Sequence, residues 1–584
     1  MTDPLTILKQ TFGFDHFRGV QEQVIARVLG GQHTLAVMPT GAGKSLCYQL
    51  PALVRNGTAL VISPLIALMH DQIRSADSIG IRAASLTSAD RNREHTLERF
   101  RDGRLDILYV APERATLDGF RRIVQSVDLA LIAIDEAHCV SEWGHDFRPD
   151  YRKLRPLLDD HSDVPRLALT ATADRRTRAD ILAQLGIPED GLTIAGFDRP
   201  NIRYHIRHRE QVGKQLRDLL AAHQGSAIVY APSRDQAERI AEQVSRDGRV
   251  ALPYHAGLEP DVRARNQAAF VSSDEMVIAA TVAFGMGIDK PDVRLVAHSA
   301  IPKSIEAYYQ ETGRAGRDGE PAEAWLFWSA QDFARARQRL EQEVEPERRP
   351  AERDRLNALA ALVETPLCRR AVLLGHFGEN PPERCGNCDN CLDPPTTIDA
   401  TDLARKLLSA AFRTEMRFGV GHLADVLAGN DTEKVRGFGH DRLSVFGIAS
   451  ADELPLIRPV ARALIAHDAL RADAYGGLSF GPGARPILKS ERMLVIAVPP
   501  RRGRSAKRGS GPANPLFDAL RTERRRLAEE AGVPPYVVFH DSTLREIAET
   551  RPRTLAELAK VNGVGRTKLD RYGDAMIAVV ASAD

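Results

Sequence analysis

Short apolar runs separated by longer amphipathic stretches dominate the first 330 or so residues. Thr34–Val37, Ala59–Ile62, Leu129–Ile134 and Arg166–Leu169 show little polar alternation, the mark of strands buried on both faces. Helical patterns lie between them, including the segment through Leu29 and the one bearing His70, Asp71 and Gln72. Strands alternating with helices predict a parallel sheet with helices on both sides. A second series, Ala227–Tyr230, Met276–Ala279, Leu295–His298 and Ala324–Trp328, predicts a second such domain. It begins after Asp198-Arg199-Pro200-Asn201, which reads as a hinge. Beyond residue 338 the pattern changes to an Arg- and Glu-rich helical region. There follows a helical stripe, Leu454, Ile457, Val460, Ala461, Leu464 and Ile465, and then two strand-like runs around the glycine turn Ala474-Tyr475-Gly476-Gly477. Arg501 to Pro515 is rich in Gly, Ser and Pro, with five basic residues and no acid, and reads as a flexible cationic linker. Short amphipathic helices fill Leu516 to Asp584.

The strand Thr34–Val37 runs into Met38-Pro39-Thr40-Gly41-Ala42-Gly43-Lys44-Ser45, and a helix starts at Leu46. Strand, glycine loop and helix in that order make a nucleoside triphosphate site. Gly41 and Gly43 let backbone N–H groups converge on phosphate oxygens, Lys44 adds a point charge near the β and γ phosphates, and Ser45 offers a hydroxyl to Mg²⁺. Met38 stands where the generic P-loop has glycine, so the match is to the Thr-Gly-x-Gly-Lys-Ser form found in helicase motors. Upstream, Gln21 in Phe14-Asp15-His16-Phe17-Arg18-Gly19-Val20-Gln21 has an amide able to read adenine as both donor and acceptor. The strand Leu129–Ile134 ends in Asp135-Glu136-Ala137-His138. A carboxylate there suits Mg²⁺, and Glu136 beside it suits activation of the attacking water. The next stretch, Cys139 to Pro149, is a loop whose Trp143 and Phe147 would stack on bases while Arg148 holds a phosphate. Thr170-Ala171-Thr172 ends the following strand. In the second series, Arg314 and Arg317 are expected on one helical face, ready to stabilise phosphoryl charge across a cleft. Asp289, in the glycine-rich stretch after Ala280, is placed to report on the nucleotide.

Charge and cysteine content refine this picture. With 79 basic against 78 acidic residues, any polyanion site must be a local patch. No apolar run reaches the roughly 18 residues of a membrane span, and no signal peptide is evident, so the expected location is the cytoplasm. Of six cysteines, Cys385, Cys388 and Cys391 lie close together. With Cys368 they supply four thiolates, enough for a closed tetrahedral Zn²⁺ site, with an iron–sulfur cluster as the rival. Cys47 and Cys139 are expected to be packed residues near the nucleotide.

The P-loop variant, the Asp-Glu-Ala-His box, the Trp-Gly-His-Asp-Phe-Arg loop and the Thr-Ala-Thr turn resemble the RecQ family of superfamily 2 DNA helicases. The resemblance continues through Asn387 and Asn390 beside the cysteines, Arg417 to His422, and Val561 to Lys568. It implies an α/β fold of two RecA-like parallel-sheet motor domains (1–198 and 199–338). A zinc-binding helical module (339–398), a winged helix (399–500), the basic linker (501–515) and a small all-helical HRDC domain (516–584) would follow. It implies ATP, Mg²⁺ and Zn²⁺ as ligands. Lys44, Asp135, Glu136, His138, Arg314 and Arg317 would be catalytic. Arg18, Gln21, Thr40, Gly41, Gly43, Ser45 and Asp289 would touch nucleotide, with Ser45 and Asp135 on Mg²⁺. Trp143, Phe147 and Arg148 would sense single-stranded DNA, and Tyr475 would stack at the duplex end. The implied activity is ATP-dependent 3′–5′ unwinding in repair, recombination and replication. Its implied partners are single-stranded DNA, junctions and single-strand-binding protein, at the nucleoid. Glu142 departs from the glutamine more usual there. Rival readings are an RNA helicase and a winged-helix DNA-binding regulator with an inactive motor. The Val561–Lys568 turn, at a helix N-terminus, suits a phosphate.

Overall fold

The structure is a computed structural model that describes residues 3–64, 66–87, 90, 92–142, 144, 147–284, 290–472, 477–497 and 514–582. Trp143, Asp289, Tyr475 and nearly all of the linker at 501–515 lie outside the described residues.

The first lobe is a parallel sheet of β1 (Thr34–Val37), β2 (Thr58–Ile62), β3 (Ala83–Leu86), β4 (Ile107–Val110), β5 (Leu129–Ile134), β6 (Arg166–Thr170) and β7 (Leu192–Ile194), in the order β3-β4-β2-β5-β6-β1-β7. β1, β2, β4 and β6 are buried throughout, as expected of a sheet covered on both faces. The order places the carboxyl ends of β2, β5, β6 and β1 side by side, so the loops after them meet at one rim. The second lobe repeats the plan with β8 (Ile202–His208), β9 (Ser226–Tyr230), β10 (Ala251–Tyr254), β11 (Val277–Ala280), β12 (Val293–His298) and β13 (Ala322–Trp328), ordered β10-β11-β9-β12-β13-β8.

The connection between lobes is held on both sides. Ala195 N–H donates to Val37 O at 2.8 Å, extending the first sheet. Phe197 belongs to the other side: Tyr309 Oη donates to its carbonyl at 2.8 Å, Glu379 accepts its N–H, and its ring stacks on Phe377 at 4.7 Å. Glu379 and Phe377 come from the cysteine module, as do Asn387, which donates to Pro200 O at 3.0 Å, and Asp389, which accepts from Ile206 N at 2.9 Å. The module therefore braces the linker against β8.

Further along, the helices Thr401–Arg413, Val420–Ala428 and Ile457–Ala466 pack with the antiparallel pair Leu470–Ala472 and Leu478–Phe480 around a separate apolar core. Buried Arg337 of the second lobe donates to Ala466 O at 2.8 Å and to Ile465 O, docking this domain. The C-terminal helical domain, from Pro515, has its own core and touches both lobes. Asp274, its side chain fully buried, faces Arg525 at 2.9 Å, Arg521 at 3.4 Å and Arg524 at 3.5 Å. Arg545 pairs with Glu320 at 2.8 Å, and Gly563 N–H donates to Gly13 O of the first lobe at 3.0 Å. The turn expected to suit a phosphate thus meets the motor's N-terminal segment in this structure.

One helical expectation fails. Helix Ile305–Thr312 ends before Arg314 and Arg317, which sit in a succession of turns. Gly316 adopts φ +55° and its N–H bonds to Val293 O, so the chain leaves the helix. The two arginines are therefore carried by that turn and not by a helical face.

Candidate nucleotide site and zinc centre

The loop after β1 curls as its glycines allow, with Gly41 at φ +85° and Gly43 at φ +74°. A side chain on Gly43 would collide with Gln21 Nε2. That amide donates to Ala42 O at 2.9 Å and Gly43 O at 3.3 Å, while Gln21 Oε1 accepts Arg18 N–H at 2.8 Å. Gln21 thus braces the P-loop itself, and exposed Arg18 rests over the Phe14 ring at 5.4 Å. Lys44 Nζ reaches Met38 O at 3.2 Å and Pro39 O at 3.3 Å; Ser45 opens the helix Leu46–Val54.

Asp135 directly follows β5, two strands from β1. Burial, then the neighbouring Glu136 charge, push its carboxyl up to about 7, against the pull of Lys44. The adjacent carboxylates of Asp135 and Glu136, with the Ser45 hydroxyl at the helix start after the P-loop, offer the oxygen donors that Mg²⁺ takes. Ser63 Oγ, from the end of β2, lies 3.5 Å from Asp135 Oδ2. Glu136 has φ +49°, a left-handed conformation that a non-glycine residue holds only under the constraint of its surroundings. Its Oε2 is buried without a hydrogen bond and lies 3.3 Å from His138 Nδ1. His138 is pushed down to about 3 by burial and by Arg148 and Lys44, so it is neutral, and its Nδ1 lies 3.0 Å from Thr170 Oγ1. Thr170 Oγ1 in turn donates to Thr172 O at 3.2 Å, which ties the Asp-Glu-Ala-His box to the Thr-Ala-Thr turn.

The loop that follows leans on the same rim. Arg148 Nη1 donates to Pro64 O at 3.4 Å, and Arg152 lies 5.4 Å from the half-buried Phe147 ring. Glu142 pairs with Arg152 at 2.6 Å. Cys47 and Cys139 are both buried, as expected.

The second lobe sets half-buried Arg317 beside the P-loop, where a Cβ on Gly41 would lie 3.3 Å from Arg317 Cα, while buried Arg314 engages Tyr230 at the end of β9. Thr40 Oγ1 donates to Gly313 O at 3.1 Å. The structure therefore gathers Lys44, Asp135, Glu136 and His138 on one lobe and brings Arg317 of the other beside the P-loop at Gly41. Arg199, within the linker, joins this junction; nothing in its sequence context beyond the hinge reading marks it out.

Cys368, Cys385, Cys388 and Cys391 gather with all Sγ atoms within 4.8 Å of one another; Cys368–Cys388 is 3.9 Å and Cys385–Cys391 is 4.0 Å. A tetrahedron with Zn–S of about 2.3 Å has edges of about 3.8 Å. The four thiols fit one Zn²⁺ and are too close to grip separate irons of a cluster.

Two facing parallel-sheet lobes with a P-loop on one and paired arginines on the other define a nucleotide-driven motor of the helicase class. Residues 18–181 match the DEAD/DEAH box helicase family model and 211–319 the helicase conserved C-terminal domain. Residues 330–392 match RecQ zinc-binding, 394–505 the RQC domain and 513–580 the HRDC domain. The chain is 42% identical to ATP-dependent DNA helicase RecQ of Haemophilus influenzae, over 99% of this chain and 95% of that one. It is 39% identical to the Bacillus subtilis protein of the same name, over 97% and 96% respectively. Identity to the RecQ-like DNA helicase BLM of Xenopus laevis is 32%, over 99% of this chain and 46% of the relative. The chain belongs to the RecQ family of helicases.

Proposed function

We propose that the chain is an ATP-dependent DNA helicase that moves 3′ to 5′ along single-stranded DNA and unwinds duplexes in repair, recombination and replication. The observation that carries this reading is the contact of the P-loop with the arginine turn of the second lobe, through Thr40 and Gly313. Lys44 and the loop amides hold the β and γ phosphates of ATP; Ser45 and Asp135 would hold Mg²⁺, which would offset phosphate charge. Glu136 takes the proton of the attacking water, and Arg317, with Arg314 beside it, stabilises charge on the phosphoryl oxygens. His138 carries the state of this site to the Thr-Ala-Thr turn. Arg18 and Gln21 flank the adenine side, and Asp289 responds to the nucleotide.

On the DNA side, Trp143, Phe147 and Arg148 sense the single strand, and Tyr475 stacks at the duplex end. The divisions at 198, 338, 398, 500 and 515 separate the working units. Among the described residues no helix is long and apolar enough to cross a membrane. A place at the nucleoid with single-strand-binding protein as a partner agrees with a DNA substrate. Unwinding of duplexes with a 3′ or a 5′ overhang under ATP tests the reading: 3′ substrates should open. ATP hydrolysis accelerated by RNA and not by single-stranded DNA would refute it.

A further inference from the structure

Arg199, buried in the linker between the lobes, grips both lobes at the nucleotide junction. Its Nη1 donates to Thr40 O of the P-loop at 2.6 Å and to Gly313 O at 3.1 Å. Its Nη2 donates to Ala315 O and Gly316 O, each at 2.9 Å. Those carbonyls flank Arg314, and Arg317 follows Gly316 directly. Asn201 reinforces the same turn, donating through Nδ2 to Gly316 O and Glu320 O at 2.8 Å.

Arg199 forms no ion pair among the described residues, and desolvation disfavours its charge. A guanidinium kept there against that cost acts through geometry. Its planar fork of five donors can reach four carbonyls on two loops, whereas the point charge of a lysine ammonium, with three donors, cannot span them. We propose that Arg199 is a positioning residue for ATP hydrolysis: it sets the spacing between the P-loop and the turn bearing Arg314 and Arg317. Phosphate binding by Lys44 and the loop amides does not depend on it. Loss of Arg199 should therefore lower kcat and leave ATP affinity in place.

The inference rests on the hydrolytic reading above, and one set of assays separates the two. ATPase rates of the full chain are measured with saturating single-stranded DNA, for wild type, Arg199→Lys, Arg317→Ala and the double variant. Binding of a non-hydrolysable ATP analogue and Tm are measured alongside. Misplacement of a catalytic group by about 1 Å costs on the order of a hundredfold, so kcat of Arg199→Lys should fall between about tenfold and a hundredfold. Analogue affinity should stay within about twofold and Tm near that of wild type. Because Arg199 acts through Arg317, Arg199→Lys should cost little further in the Arg317→Ala background. Wild type that hydrolyses no ATP overturns the hydrolytic reading itself. With wild type active, a fully active Arg199→Lys overturns the positioning role. So does a variant whose kcat, analogue binding and Tm fall together, or full additivity with Arg317→Ala.

Discussion

Asp274 carries the docking of the C-terminal domain on the second lobe, and its charge can be removed with almost no change of shape by Asp274→Asn. Breaking a buried ion pair costs about 3–5 kcal/mol when it strands a buried charge. Here the stranding is partial. Arg524, nearly fully buried, keeps Asp541 at 2.8 Å and Phe539 O at 2.9 Å, while the side chains of Arg521 and Arg525 are 25% and 51% exposed and return to water. The expected loss is therefore smaller, about 2 kcal/mol, or about a thirtyfold rise in the undocked population. The Gly563 amide is the reporter, since it is bonded to Gly13 O only while the domain is docked on the first lobe as well. Hydrogen exchange followed by mass spectrometry on peptides containing Gly563 should show faster exchange in the variant, and added salt should narrow the gap by loosening wild type. Equal, protected exchange in both proteins would refute the assignment of docking energy to Asp274.

Lys44→Ala should abolish hydrolysis in a folded protein, and a robust ATPase rate would remove Lys44 from the phosphate site. Glu136→Gln should bind ATP and lose turnover, checked by single-turnover kinetics beside analogue binding. Cys388→Ser should lower zinc content and Tm together; zinc stoichiometry equal to wild type would contradict the four-thiolate site. Desolvation pushes Lys568 down to about 8 from an ordinary value near 10.5. The unfolded chain therefore binds more protons between those pH values, and wild-type stability gains from this group as pH rises through them. Lys568→Met should accordingly raise Tm at pH 7, with the difference shrinking toward pH 9.5; a difference independent of pH would count against it.

Strands in the middle of each sheet were readable because burial on both faces leaves little room for polar residues: β1 and β5 have the bounds that the apolar pattern predicts. The edge strands β3, β7, β8 and β10 leave a weaker pattern in the sequence, as edges tolerate charge and proline. β8 alternates Arg203, His205 and Arg207 with buried Ile202, Tyr204 and Ile206, and β10 contains Pro253. β4, Ile107-Leu108-Tyr109-Val110, carries as strong an apolar signal as its neighbours. At the site, motif residues were readable because phosphate chemistry restricts residue types. The left-handed backbone of Glu136, the turn that carries Arg314 and Arg317, and the four-carbonyl grip of Arg199 depend on contacts between segments far apart in the chain. No local spacing encodes them.

The fastening of residues 195 and 197 to opposite bodies leaves Gly196 between them as the covalent pivot of the molecule. Ala195 is stitched to Val37, one residue before the P-loop begins, and Phe197 is clamped by Tyr309, Glu379 and Phe377. A rotation about a fulcrum so close to the triphosphate displaces the near loops slightly and the far rims of the lobes by much more. Nucleotide chemistry works on the short arm of this lever, and whatever lies across the outer faces rides on the long one.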